Sequence, residues 1–373
     1  MRALEGKEIA SLRETFTKTY ITMEQELPSD HKSNEQKDRH AVIPSMKRRM
    51  KDKDYQERSI YMLTFVVAER RKLFGRIEGD IHSCHGEVNY PHIVLTSLGE
   101  AVKEQIVGFP RFYPQITVCG FQIMPDHLHL IIFVRETLPC HLGIAIRGFI
   151  QGCNKAYRRL FLSPQQEGRL NSKDIRKQYQ KRDRRGNGLL FEHGYNDKVL
   201  MHKDQLQIWR HYLADNPRRL LIKQTFPDLF RVQRNIEEKG ITYSAIGNRF
   251  LLNRPLLQVQ CSRRLSEEEI QNLKARALTE CASGTVLVSP CISPGEKAVM
   301  RTAFEKGYPE IILQENGFTA LAKPGGACFD ACARGQLLLL APWEHHTDKR
   351  LITRLQCNML NNMAAALCNG ERL

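Results

Sequence analysis

The 373-residue chain lacks a paired cysteine framework, a long apolar run and a glycine-rich phosphate loop. Its 11 cysteines are scattered. Cys328 and Cys332 are the closest pair, and no second pair completes a zinc site, so reduced thiols are expected throughout. No apolar stretch reaches membrane-spanning length and the N-terminus has no signal-peptide core, which predicts a cytoplasmic protein with no membrane partner. Neither Gly-x-Gly-x-x-Gly nor a Walker A lysine occurs in the C-terminal third, so no ready nucleotide cradle is recognisable there.

What is present in excess is positive charge. The net charge is +15, with 38 Lys and Arg against 27 Asp and Glu over residues 1–230 and 18 against 14 beyond. A polyanionic partner follows, most simply nucleic acid. The excess concentrates in the part that holds Met124-Pro125-Asp126-His127-Leu128-His129-Leu130. Side chains alternate across a strand, so His127 and His129 share one face and can offer two ring nitrogens to a divalent metal. The pair by itself is weak evidence, because His-x-His recurs in strands with no metal role.

Read in order, residues 1–55 are polar and charge-dense and form a basic N-terminal arm. Residues 60–67 read as a strand, 93–107 as a helix, 115–124 and 127–134 as adjoining strands, and 141–162 as a helix carrying Arg147, Lys155, Arg158 and Arg159. A basic loop, 173–185, holds Lys173, Arg176 and Lys177. A further helix, 203–216, is expected to end at Pro217. This order predicts an α+β fold of ferredoxin-like or RRM-like type, an antiparallel sheet with its helices on one face, over residues 56–232. Residues 233–254 read as a linker. From 255 to 373, short apolar strands (285–288, 310–313, 336–340) alternate with helices opened by the capping boxes Ser266-x-x-Glu269 and Ser293-x-x-Glu296. A helix over 348–368 closes a C-terminal Rossmann-like α/β domain.

Tyr212 and Asn216 lie one turn apart on the helix before Pro217. A phenol attacks poorly when free, but beside a metal-bound phosphate it need only lose its proton as the bond forms. The Asn216 amide oxygen is a hard ligand suited to Mg²⁺ or Mn²⁺. Competing tyrosines fit less well. Tyr157 and Tyr195 have Phe161 and Val199 at the offset where a ligand is needed, and Tyr179 lies in a segment with no apolar face. Tyr195, in Gly194-Tyr195-Asn196-Asp197-Lys198, is kept as the alternative nucleophile, and a packing role for Tyr212 is the bland alternative.

With these residues in place, the chain resembles the HUH single-tyrosine transposases of the insertion-sequence type, and most of all their REP-associated tyrosine transposase branch. The resemblance rests on Met-Pro-Asp-His127-Leu-His129 and Tyr212-Leu-Ala-Asp-Asn216-Pro217 and covers about residues 58–230. It implies a metal-dependent endonuclease of DNA transposition and recombination, nucleoid-associated in location. His127, His129 and Asn216 would be metal ligands and Tyr212 the catalytic nucleophile. Single-stranded DNA, recognised beside a hairpin or repeat, would be cut and rejoined through a 5′-phosphotyrosine intermediate. Arg147, Lys155, Arg158, Arg159, Lys173, Arg176 and Lys177 would clamp the DNA backbone. Members of the family act as monomers or as homodimers. The C-terminal domain departs from the compact transposases and is loosely similar to the DNA-processing protein A fold. It leaves two other readings open, a non-catalytic nucleic-acid-binding protein and a nucleotide-binding protein acting through this domain. Against the second, Glu296 stands where an anion would bind at the 289–296 turn. His82, His85, His345 and His346 are read as structural or surface residues.

Overall fold

Tyr61, Leu63 and Phe65 alternate with Ile60, Met62 and Thr64, and this alternation defines the two faces of the first sheet. In a computed structural model of the chain, which describes residues 50, 53–161, 190–192, 194–202, 204–347 and 351–373, the stretch forms strand β1 (Ser59–Val66). The hairpin β2 (Gly75–Glu78) and β3 (His92–Leu95) follows, then helix α1 (Ser97–Phe112), β4 (Ile116–Met124), β5 (His127–Val134) and α2 (Leu142–Phe161). After β6 (Asn196–Val199) comes α3 (Gln205–Thr225). Strands β4, β5, β1 and β6 make one antiparallel sheet in that order.

One face of this sheet is closed by α1 and α2. Leu63, Phe65, Leu128, Leu130 and Ile132 pack there against Val102, Ile106, Ile146 and Phe149. Each fully buried side chain of this size contributes about 1.5–3 kcal/mol relative to exposure. The expectation of helices on one face holds for these two and fails for the third. Helix α3 crosses the opposite face, where Trp209 and Leu213 cover Met62 and Ile131.

Two boundaries differ from the sequence reading. The segment expected to be helical from Ile93 begins as strand β3, because Ile93-Val94-Leu95 pairs with Gly75-Arg76-Ile77 and the helix starts only after Thr96, whose side chain caps Gly99 N–H. Pro217 does not end its helix: α3 continues two turns further with Pro217 inside. The ring removes one backbone hydrogen bond. The turns beyond it compensate by burying Ile222 and by pairing Arg218 with Asp215 and Asp330.

The second sheet begins inside the stretch read as a linker. Gln233–Glu238 and Ile241–Gly247 form antiparallel strands β7 and β8, and Arg249–Asn253 forms a short helical turn. Alternating Tyr243 and Ala245 are buried, which a free linker would not allow. Strand β9 (Leu256–Gln258), helix α4 (Glu267–Ala282), β10 (Val286–Ser289), α5 (Pro294–Glu305), β11 (Glu310–Leu313), α6 (Gly326–Ala333) and β12 (Leu337–Ala341) follow. The order is β7-β8-β12-β11-β10-β9, parallel from β9 to β12 and antiparallel at β8. At the β8 end, Gly247 has φ +114°, and a Cβ there would lie 2.1 Å from the Leu337 carbonyl oxygen, so only glycine lets β8 join β12. The expected capping boxes open α4 and α5. The closing helix, expected from 348, is α7 (Arg354–Leu367) with its own Thr353–Gln356 capping box.

Helices α4, α5 and α6 pack on one face of this sheet and α7 on the other. Both sheets belong to one compact unit, Arg49–Leu373. Most of the basic arm and the whole loop 173–185, with Lys173, Arg176 and Lys177, lie outside the described residues. The unit begins ahead of the expected boundary, since Tyr55 is buried and donates to Asp197 Oδ2 at 2.6 Å.

Candidate active site

Met124 pairs with His127, so Pro125 and Asp126 form the two-residue turn between β4 and β5. Neither residue of the turn has positive φ. The turn is held from outside: Phe74 N–H donates to the Pro125 carbonyl at 3.1 Å and Val67 N–H to the Asp126 carbonyl at 2.9 Å. Both hydrogen bonds come from the chain just after β1, so the start of the histidine strand is tied to that neighbouring segment.

His127 and His129 face the α3 side, with ring centroids 5.0 Å apart and nearly perpendicular. Each Nδ1 is engaged. His127 donates from Nδ1 to Asp126 Oδ1 at 2.6 Å, and His129 Nδ1 meets Thr64 Oγ1 at 2.8 Å. A carboxylate only accepts, so the neutral His127 ring keeps its lone pair on Nε2, the nitrogen a metal would need. Arg70 Nη1 donates to the other Asp126 oxygen at 3.4 Å. Burial alone would push the Asp126 carboxyl up, but His127 and Arg70 outweigh it and hold it below the usual carboxylate range. His129 is 8% exposed. Burial, aided by His127, Lys198 and Arg70, lowers its pKa to about 3, so it is neutral and able to act as a ligand at ordinary pH.

Helix α3 brings the other two candidates to this face. The Tyr212 ring lies 5.8 Å from the His129 ring, and the residue is 38% exposed. Asn216, one turn on, is 9% exposed, and its Nδ2 is buried with no hydrogen-bond partner. A buried amide end without a partner costs about 1–3 kcal/mol. Amide nitrogen and oxygen exchange places by a simple flip, so the same position suits an oxygen offered to a cation. Two imidazole nitrogens and an amide oxygen are a workable donor set for a divalent ion. Among the described residues no group of three His, Cys, Asp or Glu is placed to hold a metal ion.

The other sequence candidates fall elsewhere. Tyr195 packs on Phe65 at 5.5 Å, with the core on the α1–α2 face, across the sheet from the histidines. Arg147, Lys155, Arg158 and Arg159 are carried by α2 on that same far side. His346 is tied to Glu315 at 2.9 Å and His345 to the Gly317 carbonyl at 3.1 Å, both loop-bracing contacts. Sequence reasoning passed over Thr64, Arg70 and Lys198. Their signal is register: Thr64 pairs with His129 and Lys198 with Met62, which places both on the histidine face.

In the second sheet, the Glu296 carboxylate accepts from Cys261, Ile292 and Ser293 N–H at 3.2, 2.7 and 3.1 Å. The amide cradle at the start of α5 is thus filled by the chain's own carboxylate.

No family model matches the chain. An uncharacterized protein of Haemophilus influenzae is 29% identical over 175 residues, 43% of this chain and 91% of that protein. Among solved structures, DNA processing protein A from Helicobacter pylori, described for its single-stranded DNA binding mode, is similar with TM-score 0.28 and 17% identity over 37% of this chain and 65% of that one. The chain therefore spans slightly under two thirds of that structure. A REP-associated tyrosine transposase bound to a REP hairpin is similar with TM-score 0.26 and 9% identity over 45% of this chain and 72% of that one.

Proposed function

We propose that the chain is a metal-dependent strand transferase that cuts and rejoins single-stranded DNA through a covalent bond to Tyr212. The observation that carries this reading is the meeting, within one chain, of Tyr212 with the His127–His129 pair beside Asn216, whose buried Nδ2 has no hydrogen-bond partner. The β-α-β-β-α-β order with strand order β4-β5-β1-β6 supports a ferredoxin-like catalytic layer, and the four parallel strands with their helices support a Rossmann-like layer behind it. The set is complete in one copy, so the reading requires no swapped helix from a homodimer.

His127 Nε2, His129 Nε2 and the Asn216 amide oxygen would hold the ion. The mixed nitrogen and oxygen set favours Mn²⁺ over Mg²⁺. When bound, a divalent cation supplies polarisation of a phosphate oxygen. Everything else falls to the protein. Asp126 and Thr64 fix the two rings by their Nδ1 atoms. Arg70 and Lys198 add positive charge beside His129, where a phosphate would gain most from it. Tyr212 Oη attacks phosphorus, its proton leaves through the exposed side of the ring, and the 3′-oxygen departs and takes a proton from water. The new O–P bond is a 5′-phosphotyrosine. Attack on it by another 3′-hydroxyl restores Tyr212 and joins the strands, with no nucleotide cofactor. The nucleotide-binding alternative meets the Glu296 carboxylate already seated in its cradle.

The test is a denaturing gel with labelled hairpin-bearing single-stranded DNA in Mn²⁺ or Mg²⁺. Wild type forms a protein–DNA adduct. Tyr212→Phe forms none while its DNA binding, followed by anisotropy, is unchanged. Adduct formation undiminished in Tyr212→Phe would sink the nucleophile assignment, and no adduct from wild type with any hairpin would favour a non-catalytic DNA-binding protein.

A further inference from the structure

The face of α3 that begins with Tyr212 does not stop at the active site. Tyr212, Asn216, Arg219 and Lys223 follow at helical spacings of four, three and four residues, so they form one stripe along the helix. The stripe ends at the seam between the two sheets. There the Arg219 guanidinium lies over the Phe329 ring of α6, 4.2 Å from its centroid. Lys323 stands in the loop that leads into α6, three residues before Gly326. Arg219 and Lys223 are half-buried and Lys323 is exposed. No salt bridge among the described residues engages any of the three. The nearby acids are committed elsewhere: Asp215 and Asp330 both bind Arg218, and Asp126 binds His127 and Arg70.

We infer that Arg219, Lys223 and Lys323 form a phosphate site for single-stranded DNA, carrying the strand away from Tyr212 across the seam and onto the second sheet's layer. Three cations whose neighbouring acids are paired with other partners repel one another, and a polyanion relieves that repulsion. The behaviour of Lys223 agrees: burial first, then Lys323 and Arg219, lower its pKa to about 8, with Asp126 opposing only in part. From Tyr212 to Lys223 is 11 residues. At 1.5 Å per residue that is about 16 Å, or roughly five nucleotides of stacked strand. The Arg219 guanidinium, seated over the Phe329 ring, also offers a plane on which a base can stack.

This site rests on the reading that DNA is the substrate of the Tyr212 face, but it is tested separately from the chemistry. Binding of fluorescent single-stranded oligonucleotides is followed by anisotropy from low to moderate salt, for wild type, Lys223→Gln, Lys323→Gln and the double variant. Each lost phosphate contact should flatten the slope of log affinity against log salt by about 0.7, so the double variant should differ by about 1.4. The effect should vanish for oligonucleotides too short to reach beyond Tyr212 by about five nucleotides. An unchanged slope in a double variant that melts like wild type overturns the site, as does a change seen only with duplex DNA. Adduct formation with an unchanged slope would remove the seam site and keep the nucleophile. A changed slope with no adduct would do the reverse.

Discussion

The contact that joins helix α3 to the second sheet can be weighed by breaking it. Arg218 donates from Nε to Asp215 Oδ1 at 2.6 Å and from Nη2 to Asp330 Oδ1 at 2.6 Å, with a weaker second bond to Asp215 at 3.3 Å. Burial alone would lower the Arg218 pKa, but the two carboxylates outweigh it and raise it. The side chains of Arg218 and Asp330 are 23% and 37% exposed. Fully exposed pairs give about 0.2–1 kcal/mol and broken buried ones cost about 3–5 kcal/mol, so this pair belongs between. Asp330→Asn should therefore cost about 1–2 kcal/mol. Arg218→Met should cost more, about 2–3 kcal/mol, because it leaves Asp215 and Asp330 facing each other without their cation. The double-mutant cycle should return a coupling of about 1 kcal/mol that shrinks with salt. The protein supplies its own reporters. Its two tryptophans divide between the layers, Trp209 under α3 on the first sheet and Trp343 against the second. Urea unfolding of the Trp209→Phe and Trp343→Phe variants reads each layer in turn. Both should give one midpoint, and Asp330→Asn should lower both together. Separate midpoints, or a coupling below about 0.3 kcal/mol, would refute the claim that the seam joins the layers energetically.

Two further predictions concern buried titrating groups. His129 takes a proton near pH 6.5 when unfolded but only near pH 3 when folded, so stability falls on acidification between those values. The fall is at most about 1.4 kcal/mol per pH unit, and in metal-free urea titrations His129→Gln should flatten it. Glu310 is 1% exposed with Oε1 lacking a partner, and burial, opposed by the Phe304 backbone, raises its pKa well above 4.5. The folded state then holds a proton that the unfolded state releases, so this residue costs stability as pH rises above 4.5. Glu310→Gln should be more stable than wild type at neutral pH, by a margin that widens with pH; a thermal melt showing the opposite sign removes the argument.

Much of the first sheet was legible because each clue was local. The β-branched runs at 60–67 and 127–134 gave strands whose period of two put both histidines on one face, and that face is the one α3 covers. The spacing of Tyr212 and Asn216 gave the other half of the candidate site. What the sequence could not show depended on partners distant in the chain. Pro217 reads as a stop until Ile222, Phe329 and Asp330 explain why the helix goes on. Residues 233–247 are too polar to read as core strands, and only β12 beside them turns Tyr243 and Ala245 inward. Arg147, Lys155, Arg158 and Arg159 read as clamps by charge alone, and only the packing of α2 places them across the sheet from the histidines.

Pro217 has a consequence for how force travels. A proline has no N–H, so the Leu213 carbonyl loses the helical bond that residue 217 would supply. The backbone ladder of α3 is therefore thinnest from Leu213 to Pro217, between Tyr212 on the side of the histidines and Arg218, fixed to the second sheet. A pull on the seam reaches Tyr212 through a joint rather than a stiff rod. Side-chain packing of Trp209 and Leu213 on Met62 and Ile131 must keep the phenol aimed. The aim of Tyr212 is thus set by apolar surface at one end of the helix and by charge at the other.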